Sequence, residues 1–223
     1  MCGRRERTDF SPLTISATQT LNLGSMKVAL YTLGAIVLLV GIFAFSGIGT
    51  YNGLVSQEES VSQSWADVET QYQRRADLIP NLVNTVRGAA DFESETLIAV
   101  TEARARATSI NLSADDLSNP SRMREFMDAQ ASLGGALGRL LVVSENYPQL
   151  RATDAFQTLQ TQLEGTENRI TVARRDYNNV VATYNTKVRQ FPGSIIAGIT
   201  GFERRTPFEA QGGAEKAPQV DFN

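Results

Sequence analysis

The hydrophobic pattern changes character once along the chain. From Val28 to Gly49 it is continuous: VALYTLGAIVLLVGIFAFSGIG is 22 residues without a charge, twelve of them Val, Leu, Ile or Phe. As a helix it extends roughly 33 Å at 1.5 Å per residue, enough for a hydrocarbon core of about 30 Å. Those twelve residues favour insertion by about 4–7 kcal/mol before opposing contributions. A buried helix of a soluble core and a cleaved signal peptide are the rival readings. No charge occurs between Lys27 and Glu58. The run is also long for a signal-peptide core, and no clear cleavage site precedes the helical sequence that follows. The pattern therefore predicts one uncleaved transmembrane helix over residues 28–49.

Beyond it, apolar positions recur every three or four residues. Val61, Trp65, Val68, Tyr72, Arg75, Ile79, Leu82 and Val86 form one seam. Phe156, Leu159, Leu163, Thr166, Ile170, Ala173, Tyr177, Val180 and Tyr184 form another. Each keeps a heptad-like spacing for more than three heptads, which predicts long helices that bury one stripe at shallow crossing angles. The expected helices are about Thr50–Ala90, Glu93–Ser109, Ser121–Glu145 and Asp154–Gln190. Pro80 should kink the first by removing the bond to the Ala76 carbonyl. The polar stretch Asn111–Pro120 reads as a loop, and Tyr147 and Pro148 end the third helix. Asp154 and Gln157 resemble a capping box for the fourth. The third carries Met123, Phe126, Leu133, Leu137 and Leu140 on one side, and Gly134, Gly135 and Gly138 should let a neighbour approach closely. No strand pattern occurs.

The fold class follows: all-α, an N-terminal single transmembrane helix followed by an antiparallel long-helix, coiled-coil-like bundle. The expected divisions are an N-terminal tail 1–27, the span 28–49, the bundle 50–190, an apolar segment 191–209 and a flexible tail 210–223. The fourth helix should point back toward the membrane. Its sequel FPGSIIAGITGF, Phe191–Phe202, then either touches the membrane surface or covers one end of the core. Arg4, Arg5, Arg7 and Lys27 precede the span, and the next basic residue is Arg74. That asymmetry puts the N-terminus inside the cell and the bulk of the chain outside. Met26-Lys27 would also make a plausible translation start, which would shrink the bias.

Composition narrows the chemistry. With no His and one Cys, zinc fingers, His-based triads and disulfide frameworks are excluded. Carboxylate acid–base chemistry and all-carboxylate metal sites are not. A net charge of −3 and a pI near 5.2 argue against nucleic acid as a partner. Cys2 has no apolar run before it and is no lipidation box. Glu58-Glu59 and Asp115-Asp116 are neighbours that diverge by about 100° on a helix and do not converge on a substrate. No GxxxxGK[ST] phosphate loop occurs. Trp65 and the seam tyrosines read as core.

The arginines carry more. Arg75 lies on an apolar seam between Arg74 and the nearby Asp77, and Arg174-Arg175-Asp176 repeats the theme in the fourth helix. A buried guanidinium without a partner is expensive, so Arg75 should meet a carboxylate such as Glu164 or Glu167 and fix helix register. The other reading is a ligand pocket built from Arg75, Asp77, Glu164 and Tyr177.

Several stretches resemble the LemA family of bacterial membrane proteins. They are YNGLV at Tyr51, RRADLIPNLVNTVRG at Arg74, TEARARA at Thr101, LGRLLVVSENYPQLRA at Leu137, LEGTENRITVARRDYNNVVATYNTKVRQFPGSIIAG from Leu163 and PQVDF at Pro218. They occur in order from the span to the C-terminus. Where the family pattern often has a His, this chain has AADFE near Phe92, which weakens any proposal of a His-dependent site. The resemblance implies a single-pass membrane protein with a mostly helical domain and no settled biochemical activity. Family descriptions often place the N-terminus outside, opposite to the charge asymmetry. The resulting expectation is a membrane-anchored scaffold or adaptor, not an enzyme and without a cofactor. Its partners would be the lipid bilayer and a membrane or envelope protein. A sensor or enzyme using the Arg/Asp/Glu/Tyr pocket is the alternative.

Overall fold

A computed structural model describes residues 23–88 and 93–209. Residues 1–22 of the expected tail 1–27, the tail 210–223, and Ala90 at the expected end of the first helix lie outside them, and residues 23–27 are helical. The chain divides into two compact units, up to Ser46 and from Gly47 onward. Helix α1, Leu23–Arg87, contributes to both. Its N-terminal part holds a window of mean hydropathy 2.5 with no residue buried. That stretch is long and apolar enough to cross a membrane and forms no part of the described core.

The second unit is a helical bundle of α1 from Gly47, α2 (Ser94–Ser109), α3 (Pro120–Ser144), α4 (Pro148–Arg151), α5 (Asp154–Arg189) and α6 (Gly193–Thr200). No strand occurs among the described residues. Two apolar clusters fix the topology. The first joins residues 54–72 of α1, Met123 and Phe126 of α3, and residues 170–188 of α5. The second joins residues 79–86 of α1, 97–107 of α2, 133–140 of α3 and 156–163 of α5. So α1 and α3 run from the first cluster to the second, and α5 runs back. With α2 descending between α1 and α3, the four long helices go up, down, up and down, as the short connections require. All eight seam positions of α1, from Val61 to Val86, are buried, Arg75 included. In α5, Leu159, Ala173 and Val180 are only partly buried.

Local details add to the sequence expectation or differ from it, each for an identifiable reason. Helix α1 passes through Pro80. The Ala76 carbonyl that Pro80 cannot satisfy accepts instead from Arg104 Nε of α2 at 2.8 Å, so a neighbouring helix replaces the missing bond. The loop before α3 contains a 3-10 turn, Asp116–Ser118, that buries Leu117. Asn119 caps α3, its Oδ1 accepting from Ser121 N and Arg122 N at 3.0 and 3.3 Å. Pro120 occupies the first helical position, where a missing N–H costs nothing. Pro148 starts the short α4 instead of merely ending α3. The cap of α5 is Thr153, whose Oγ1 accepts from Phe156 N at 3.4 Å; Gln157 turns away to the Arg151 carbonyl. Gly134, Gly135 and Gly138 hold no neighbouring backbone. A Cβ at Gly135 or Gly138 would meet nothing, and at Gly134 only Arg75 Nη1, 4.0 Å away.

Residues 191–209 are not one apolar segment. Helix α6 caps one end of the bundle, and Gly193 is required there because a Cβ would run into the Lys187 carbonyl. Gly201 ends α6 at φ +84°, with its N–H bonded to the Ala197 carbonyl at 2.8 Å, a conformation that favours glycine. Residues 202–209 then run as an extended strap along α5, and Phe208 is buried in the first cluster.

Candidate functional site

Arg75 is 4 % exposed, and its guanidinium is answered from two helices. Nη1 donates to Glu167 Oε2 of α5 at 2.9 Å. Nη2 donates to the Gln130 side chain and backbone oxygens of α3 at 2.7 and 3.2 Å. Gln130 Nε2 in turn donates to the Ala107 carbonyl of α2 at 3.3 Å. One polar layer thus links α1, α5, α3 and α2 between the two apolar clusters. A buried charge is tolerated only with such partners, and sliding any helix by a turn would strand it. The Tyr72 ring lies 5.1 Å from Arg75 Cζ, and burial pushes the Tyr72 hydroxyl above its ordinary pKa, with Arg174 and Arg75 opposing.

Beside this layer a groove of about 880 Å³ opens between α3 and α5. Arg75, Arg124, Glu164, Glu167 and Arg174 line it together with the α3 glycines. Of the residues singled out from sequence, the structure therefore brings Arg75, Glu164, Glu167 and Arg174 to one groove. Within it Glu164 accepts from Gln160 at 3.1 Å. Arg74 and Asp77 line a different surface, against Ala107 and Thr108, where Asp77 accepts from Gln73 at 2.7 Å. Two residues apart on a helix is about 200°, so Arg75 and Asp77 cannot share a pocket. Arg175 bonds to the adjacent Asp176 at 3.4 Å. Tyr177 is wholly buried among Trp65, Phe126 and Phe208, and its hydroxyl donates to the Thr206 carbonyl at 3.2 Å. Burial raises its pKa and pushes that of Tyr184 up to about 12, so both stay neutral phenols at ordinary pH.

Three residues that sequence reasoning missed organise the strap. Asn185 Nδ2 donates to the Arg205 carbonyl at 2.8 Å while its Oδ1 accepts from Arg205 N at 2.9 Å. Asn178 repeats this with Phe208 at 3.0 and 2.8 Å. Each amide thus pairs with a strap residue as a neighbouring strand would. Arg205 also donates to Glu58 Oε1 at 2.6 Å. The available signal was two asparagines seven residues apart inside a helix, where asparagine is otherwise a poor choice.

The architecture is that of an all-helical bundle protein, organised by a buried arginine layer and following a long apolar helix. The sequence pattern of the LemA family matches residues 64–222, and the chain belongs to that family. Among its relatives, magnetosome protein MamQ 2 of Paramagnetospirillum magneticum is 28% identical over 189 residues, covering 78% of this chain and 70% of the relative. MamQ of Magnetospirillum gryphiswaldense is 27% identical over 170 residues, covering 69% and 62%. Protein LemA of Metamycoplasma hominis is 26% identical over 161 residues, covering 72% and 69%.

Proposed function

We propose that the protein is a membrane-anchored helical scaffold or adaptor. Residues 28–49 would cross the bilayer once with the N-terminus inside. The bundle, outside the cytoplasm, would present its surface to a membrane or envelope protein. The observation that carries this reading is an unburied, uncharged stretch on the same helix that supplies the bundle's principal seam. The arginine layer supports it further: its charges are spent on neighbouring helices, as a register device requires. The relatives named as magnetosome proteins are consistent with a membrane setting. Carbonate extraction of native membranes tests the anchor, and release of the protein would overturn it. Labelling of Glu145→Cys by an impermeant maleimide in intact cells, in a Cys2→Ser background, tests the orientation. Labelling only after the cells are opened would reverse it. Crosslinking in native membranes that recovers partner-free monomer alone would sink the adaptor role.

The α3–α5 groove favours a second reading, a ligand sensor. Arg124 and Glu164 are exposed groove residues, so their alanine variants should fold normally. Loss of a cellular phenotype at an unchanged melting temperature would favour the sensor over the scaffold.

A further inference from the structure

Helix α6 has two apolar faces, and the bundle uses one. Gly193 and Ala197 are buried against the core and Ile196 packs partly upon it. Ile195 and Ile199, four apart on α6, form the other face and are 54 and 77 % exposed, and Phe191 in the turn before the helix is 72 % exposed. Scattered apolar residues on a surface need no explanation, whereas a stripe that adjoins further exposed apolar groups does. Helix α1 supplies them. A Cβ at Gly47 would lie 3.7 Å from Ile196 Cδ1, and one at Gly193 would lie 3.9 Å from Thr50 Cγ2. The Tyr51 and Phe202 rings sit 5.7 Å apart. Ile48, Tyr51 and Val55, in that same stretch of α1, are exposed as well. The patch therefore lies at the end of the bundle where the predicted span, 28–49, stops.

Charge points to what covers it. Between residues 187 and 204 the charged residues are Lys187, Arg189, Glu203 and Arg204, all exposed. Arg205 is occupied by Glu58. Three cations against one carboxylate, in a chain of net charge −3, is a local reversal of sign. Cations flanking an apolar stripe are the composition of a helix that rests in the headgroup region of an anionic bilayer. Eight residues would not hold a helix in water alone, but the bundle and the Gly201 cap already hold this one, so no ordering cost remains at contact.

We propose that α6 is an interfacial contact for anionic lipid, with Phe191, Ile195 and Ile199 directed toward the acyl chains and Lys187, Arg189 and Arg204 toward the headgroups. It rests on the reading that residues 28–49 span the membrane. The test uses the full chain, Cys2→Ser, reconstituted one copy per nanodisc of phosphatidylglycerol or of phosphatidylcholine. An environment-sensitive fluorophore is placed at Ile199→Cys or at Val142→Cys, an exposed apolar position in the aliphatic half of the bundle. The expected result at 199 is a blue shift and quenching by acyl-chain spin labels in phosphatidylglycerol, with neither at 142. Both signals should weaken in phosphatidylcholine and in a Lys187→Gln, Arg189→Gln, Arg204→Gln variant. Probes equally water-exposed at 199 and 142, in protein that resists carbonate, would overturn the lipid contact and leave the span standing. Carbonate release with residue 199 still quenched would remove the span and leave a peripheral contact. A blue shift at 199 that persists in detergent and grows with protein concentration would assign the patch to a second copy and overturn the proposal.

Discussion

The two halves of the bundle share α1, α3 and α5 but close in different ways. The half around Val86, Leu97, Leu137 and Leu163 is almost entirely aliphatic, with Phe156 its one buried aromatic among the described residues. Its residues come from helices alone. The half around Trp65 is aromatic. Trp65 meets Phe126, Tyr177 and Phe208 at ring-centroid distances of 5.3, 5.5 and 5.9 Å, and Tyr72 meets Phe126 at 5.2 Å. Helix α2 contributes only to the aliphatic half; in the aromatic half Leu112 and Leu117 of the loop before α3, Ala197 of α6 and Phe208 of the strap complete the core. The lesson is that where one long helix does not reach, loop and strap side chains have to complete the close-packed core.

That contrast can be broken most directly at Phe208. Phe208→Ala should cost about 3–5 kcal/mol in urea unfolding, since it removes a buried ring that packs on Trp65 and Tyr177. The sole Trp, Trp65, should report the loss in fluorescence. A change below about 1 kcal/mol would show that the aromatic half closes without the strap. Next is the layer between the halves. Arg75→Met should cost about 1–3 kcal/mol because Gln130 Oε1 is left buried and unanswered, while Glu167, largely exposed, is hydrated. Adding Gln130→Leu should recover most of that, since an apolar layer needs no partners. Failure of the double variant to recover would mean that the layer does more than satisfy itself.

A smaller effect is expected at the strap's fastenings. Asn178→Ala removes two part-buried hydrogen bonds, worth about 1–2 kcal/mol together. Amide exchange at Phe208 should rise well before exchange in the aliphatic half, and equal protection of both would refute the fastening. The smallest effect is in base. The Tyr184 phenol has a folded pKa of about 12 against an ordinary 10, so the unfolded chain ionises first. The associated stability is complete below pH 10 and is lost as pH rises from 10 through 12. Tyr184→Phe should flatten that decline, and Tyr177, also raised, should leave part of it. An unchanged alkaline melting profile in Tyr184→Phe would remove the tyrosine as its source.

The halves also differ in how far sequence discloses them. The aliphatic half is a product of periodicity: Ile79, Leu82 and Val86 against Leu133, Leu137 and Leu140 are spacings of three and four, and their burial follows from helix geometry. The Arg75 layer was half legible. A charge on an apolar seam demands a partner, and Glu167 supplies one, but the role of Gln130 depends on a tertiary arrangement that no spacing encodes. The strap was not legible. Residues 202–209 have no period, and Phe208 gains meaning only from Trp65 and Tyr177, far away in sequence. For the same reason Asp77 falls on another surface and Tyr177 in the aromatic core, away from Arg75: sequence supplies chemistry, while azimuth around each helix decides who meets.

Phe208 also sets an order of events at the ribosome. It emerges roughly 140 residues after Trp65, an interval of about 7–28 s at 5–20 residues per second. The apolar run 28–49 has long since emerged by then. The aliphatic half can close as α5 begins to appear, whereas the aromatic half must wait, its rings unburied, until the final fastening arrives.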